Sequence, residues 1–307
     1  MKRYYTQTFP PLTGRLPERA FVFSLILMIV FLQNANSQDT STLKELKGYS
    51  FSTLYSSGLE YKAKEMATKC DSAIRYMSKN VLGFRPTIKL FVLNPDDWKK
   101  YTSNHIYGMP HYKGEKLILA GEDNSFWKSF IPPMNSMSPE MVTTMKKLFA
   151  KPNGDLSFEK FFDLLALHEL GHAFHTQDSV NFPRKWMNEL FANLFLHTYI
   201  AEKESTLLPI LEIAPKLVIE TGPAGFEHTS LQDFESFYVQ KMSPNNSGWY
   251  QARFHFAAKQ LYDAGGAAVV KALWNTFLNN KKEYSDNELV ELLKMKAPEV
   301  AKFIAEW

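Results

Sequence analysis

The sequence predicts an α+β protein, with a small amino-terminal sheet lobe carrying helices and a mainly helical carboxy-terminal lobe. Three observations carry this. The stretch 87–93 alternates and is rich in β-branched residues, and 116–120 is a second short apolar run, so both read as strands. From Ser157 onward apolar residues recur at helical spacing almost to the end. Of the 307 residues 45% are apolar, enough for a sizeable core in one domain.

Taken in order, the chain opens with Lys2, Arg3, Arg15 and Arg19, followed by 13 uncharged residues, 20–32. A bilayer span needs about 20. Ala35-Asn36-Ser37 then supplies small residues, so 1–37 reads as an export signal cut before Gln38, with an uncleaved anchor as the alternative. Polar residues 38–48 read as a flexible connector, and 49–307 as one domain: a sheet lobe over about 49–155 and a helical lobe over about 156–307. Within the first lobe, 59–76 has helical spacing, Asn94 starts a short helix, and Ser138-Pro139 caps another reaching about Phe149. The segment 107–112 is rich in turn residues. Later helices are expected over 186–202, 207–219, 231–242, 248–264 and 267 to the end, with Gly265-Gly266 breaking the last pair.

Charge and cysteine usage narrow the function. The chain carries +3, and the first 37 residues hold that whole excess, leaving the rest neutral. A neutral domain exerts no general pull on nucleic acid or acidic lipid. The single Cys70 excludes an internal disulfide, and a lone cysteine is more often a small buried hydrophobe than a reactive thiol. An Asn-x-Ser sequon stands at Asn245.

The chemistry centres on His168-Glu169-Leu170-Gly171-His172, an HExxH motif, and on Trp186-Met187-Asn188-Glu189-Leu190-Phe191-Ala192. Side chains four apart on a helix share a face, so His168 and His172 can aim two imidazoles at one cation. The apolar flanks Phe158, Phe161, Phe162, Leu164, Leu165, Leu167 and Ala173 argue a buried helix. Buried histidines and a glutamate need partners, and a divalent cation supplies one. Two histidines, a carboxylate and an open fourth position form the pattern of a catalytic zinc site. Asp178, six residues after His172, competes with Glu189 as third ligand; that alternative needs a helix-breaking glycine where His175 stands.

These two segments resemble the gluzincin metallopeptidases, and most of all the peptidase-MA-like catalytic domains of the aminopeptidase N and thermolysin-like group. The resemblance covers about 158–199 and implies a zincin-like fold, Zn2+ on His168, His172 and Glu189, and Glu169 as general base. It also implies a second electrophile from a later helix: Tyr250, with His228 and His255 as alternatives. By the same resemblance the strand 116–121, through Leu119, Ala120 and Gly121, would hold a peptide by strand addition. Thermolysin-like sequences often carry an aspartate where Asn193 stands, and an amide can still accept a ligand histidine's N–H. The expected function is an exported zinc peptidase acting on a peptide or protein substrate, without nucleic acid and without a stable membrane span. The alternative is a catalytically inactive zinc scaffold that binds a peptide or protein partner.

Overall fold

A computed structural model of the chain describes residues 43–307 apart from 104, 132–133, 221 and 239–241. The expected export signal lies outside the described residues. Five short strands form one mixed sheet: β1 (Lys44–Leu46), β2 (Ser52–Tyr55), β3 (Lys89–Leu93), β4 (His111–Lys113) and β5 (Lys116–Ala120). Their order is β1-β2-β3-β5-β4, with the inner pairs parallel and both outer pairs antiparallel. β3 and β5 are buried almost throughout, as strands covered on both faces must be. Helix α1 (Glu60–Tyr76) connects β2 to β3 and packs on the sheet with Ala63, Met66, Ala67, Cys70 and Ile74. Cys70 is wholly buried, and burial pushes its thiol up to about 12.

Three expectations are corrected here. β1 lies inside the stretch read as a connector; its exposed Lys44 and Glu45 gave no apolar alternation to recognise. The turn-rich segment before β5 closes into β4, so β5 is not an edge. It is hydrogen-bonded on both sides over 116–118, and Leu119 and Ala120 are 3% exposed. The strand expected to hold a peptide is therefore an interior one over 116–118, and beyond it Gly121 N–H donates to the Leu93 carbonyl of β3. The last expected helix is three: α10 (Ala267–Phe277), α11 (Asp286–Lys296) and α12 (Pro298–Ala305). Asn279, at a φ of 55°, ends the first, and Pro298 opens the third.

The helices between are α2 (Pro95–Tyr101), α3 (Ser125–Ser129), α4 (Pro139–Phe149), α5 (Glu159–Gln177), α6 (Lys185–Lys203), α7 (Leu208–Glu220), α8 (Leu231–Phe237) and α9 (Pro244–Gly265). Asn94, Ser138 and Ser243 cap three of them through side-chain oxygens, each followed by proline at the first helical position. Ser157 meets the Glu159 N–H one residue ahead of the cap position of α5. Helix α5 is apolar on nearly every side, the mark of an interior helix. It lies between β4 and β5 on one side and α6 on the other. Phe162, Leu164, Leu167, Leu170 and Phe174 are at most 2% exposed, and each contributes roughly 1.5–3 kcal/mol by burial. Gly171 lets α6 approach: a Cβ there would stand 2.9 Å from Ala192 Cα. No helix of the described residues is long and apolar enough to cross a membrane.

Candidate metal centre

Two helices in backbone contact bring three side chains together. His168 and His172, one turn apart on α5, hold their Nε2 atoms 3.1 Å from each other. Glu189 enters from the first turns of α6, with Oε2 3.3 Å from His168 Nε2 and Oε1 3.8 Å from His172 Nε2. A tetrahedral ion with bonds of 2.0–2.2 Å separates its ligand atoms by roughly 3.3–3.6 Å. The three spacings bracket that value, so these residues fit such an ion. Glu169 completes a cluster with the histidines, their ligating atoms lying within 4.8 Å of one another. Asp178 stands at the C-cap of α5 and is not among the clustered residues.

Burial and mutual charge perturb the titration of all four clustered groups. Burial pushes the Glu189 carboxyl up, but His172 and His168 together with the Gln251 amide outweigh it and hold it well below the usual carboxylate range. Burial pulls His172 down to about 4, leaving its imidazole neutral. His168 is also disfavoured as a cation by burial, yet its bond to Glu189 prevails and raises it. Burial raises Glu169 to about 7, with His168 opposing.

Two of the three candidate ligands, His172 and Glu189, have a hydrogen-bonded neighbour that orients them. His172 Nδ1 lies 3.0 Å from His175 Nε2. Gln251 donates Nε2–H to Glu189 Oε2 at 2.8 Å and accepts from Asn193 Nδ2 at 3.3 Å. Asn193 also donates to the Glu189 carbonyl, 2.9 Å away. His168 Nδ1 and Asn193 Oδ1 are both buried without a hydrogen bond. One is a donor when Nε2 binds an ion and the other an acceptor, and the Asn193 amide already helps to raise His168. A small rotation would join them.

Neither the family models nor the curated proteins contain a match to this chain. The site therefore rests on its own geometry.

That geometry separates Tyr250 from the cluster. Its hydroxyl donates to the Ser230 carbonyl at 2.7 Å, and its ring lies among Phe234, Trp249 and Trp307. Successive helical residues differ by 100°, so the next residue, Gln251, is the one aimed at Glu189. His228 stacks on Phe237 at 4.4 Å, while His255, one turn beyond Gln251, puts its ring 6.3 Å from that of His168. Burial pulls His255 well down, so it is a neutral wall of the site. The tyrosine electrostatically coupled to the cluster is Tyr238, just past α8, whose phenol feels Glu189, Glu169 and Gln251. Burial, with the Glu189 and Glu169 carboxylates, pushes its phenol far up against the opposing Gln251 amide, so it remains protonated. Helix α8 is fixed there by Glu235, whose carboxylate accepts the Trp186 N–H at 3.0 Å. Tyr112 on edge strand β4 donates its backbone N–H to Glu169 Oε2 at 2.9 Å. An open cleft of about 590 Å³ lies against Tyr112, His172, His175 and Glu189.

Proposed function

We propose that the protein is an exported zinc-dependent peptidase with a gluzincin-like, zincin-type centre. The observation that carries the reading is that Glu189, from a separate helix, meets both HExxH imidazoles at ligand spacing while Glu169 stands beside them without being needed as a ligand. His168, His172 and Glu189 would hold the ion. Bound zinc supplies Lewis acidity, polarising a carbonyl and making a water acidic near neutral pH.

The chain's own residues do the rest. Tyr112 N–H occupies Glu169 Oε2, so Oε1 is the atom free to take a proton and return it to a leaving nitrogen. A carboxyl raised to about 7 by burial suits that exchange. Tyr238, coupled electrostatically to Glu189 and Glu169, takes the role of hydroxyl donor to a developing oxyanion in place of Tyr250, whose hydroxyl is held by the Ser230 carbonyl. His175, Asn193 and Gln251 keep the ligands in register. The export reading rests on 1–37 of the sequence alone.

The purified chain should bind close to one zinc per molecule by mass spectrometry, and Glu169→Gln should keep the zinc while losing at least a thousandfold in peptide cleavage. Equal cleavage by both proteins would remove Glu169 from the chemistry. Zinc without cleavage in either would favour the binding scaffold instead.

A further inference from the structure

We infer that the centre takes the interior of an extended polypeptide and cuts within the chain rather than at its end; this deepens the peptidase reading and depends on it. The first support is the open face of α5. Between 161 and 176 the positions of this helix that are not buried are Phe161, Leu165, Glu169, His172 and Thr176, spaced by four, four, three and four residues. They form one accessible stripe with Glu169 and His172 near its middle. From Phe161 to Thr176 the stripe runs about 22 Å at 1.5 Å per residue. An extended peptide rises about 3.3 Å per residue, so roughly six or seven residues fit along it, on both sides of the centre.

The second support is the cleft's continuation. The 590 Å³ cleft at the centre shares Asn181 and Phe182 with a second cavity of about 460 Å³ walled by Arg184, Lys281 and Tyr284. The segment between is a fixed floor: Val180 bridges Leu278, and Asn181 N–H donates to the Phe277 carbonyl at 3.1 Å. A bound chain can leave the centre along this groove instead of ending in a wall.

The third support is what lines the cleft. Besides histidines its one charged side chain is Glu189, already committed to His168 and Gln251, and among the described lining residues there is no lysine or arginine. A free amino end needs an uncommitted acid and a free carboxyl end needs a cation, since a buried charge without a partner is costly. The lining beside the centre supplies neither; Arg184, Lys281, Lys282 and Glu283 line only the second cavity. A backbone with both ends elsewhere suits it.

The test uses the full chain loaded with zinc, with Glu169→Gln as the blank. Ten-residue peptides are offered with free ends, and again acetylated and amidated, with products mapped by mass spectrometry. Internal cleavage of both forms within about threefold in rate is expected, with kcat/KM rising at least tenfold from four to ten residues. Stepwise loss from one end of the free peptide, with the blocked form intact, would overturn the inference and leave the peptidase reading standing. A flat length dependence would also overturn it. If neither form is cut, the peptidase reading itself falls, and the inference with it.

Discussion

At Tyr250 and Gln251 one step along a helix separates a core residue from a residue of the site. Both stand in Gly248-Trp249-Tyr250-Gln251-Ala252, and sequence pattern gives no way of choosing between them without the rotation of α9. The rotation is set by Tyr250's large ring, which gains more from the aromatic cluster around Trp307 than from a polar cleft. Tyr238→Phe should therefore lower kcat by about 10–100-fold with little change in KM, in steady-state assays on one peptide. Tyr250→Phe should leave kcat within about twofold and cost about 1 kcal/mol of stability, the worth of its bond to Ser230. The reverse pattern would return Tyr250 to the chemistry. Glu189, on another helix, was assigned through the resemblance, whereas His168, Glu169 and His172 were legible as a cluster because helical spacing sets their relation. Tyr238 was not, because nothing local to it announces that Glu235 pins α8 to the start of α6.

Between elements, the decisive contact is α5 on α6. The glycine inside the HExxH motif and the alanine three residues after Glu189 lie against each other, and this closeness lets a short glutamate reach two rings on the neighbouring helix. Gly171→Ala would gain helix propensity of about 1 kcal/mol. It would also drive a methyl into backbone that cannot yield without moving the helix. A net loss of about 1–2 kcal/mol in chemical denaturation is expected, with zinc affinity falling in parallel by competition titration. Unchanged affinity would mean that the helices tolerate the wider spacing. β3 and β5 were readable as short apolar runs and the long helices as extended stretches with apolar residues at helical spacing, because each carries its burial in its own local sequence. β1, β2 and β4 are three or four residues each and take their form from pairing partners distant in sequence, which a local pattern does not encode.

For the molecule as a whole, the join between the sheet lobe and α5 depends on a buried charge cluster. Lys62 of α1 bonds Asp163 and, at 3.1 Å, Glu159, both on α5. Burial pushes the Asp163 carboxyl up to about 6, with Lys62 opposing. A carboxyl raised on folding favours its protonated form in the native state. Its ionisation therefore withdraws stability as pH rises through about 6, and that cost is absent below its ordinary value of 3.8. Lys62→Met should lose about 3 kcal/mol at pH 7.5 and distinctly less at pH 5, measured by urea denaturation at both. A pH-independent loss would assign Lys62 a packing role only. The Gly171–Ala192 contact also bears on ion choice. Because main chain rests on main chain between the candidate donors, they would have little freedom to spread around an ion of the proposed centre. Calcium, which wants oxygen donors at 2.3–2.6 Å, would have to prise two packed helices apart to enter. Discrimination against larger cations is thus a matter of scaffold stiffness as much as of donor chemistry.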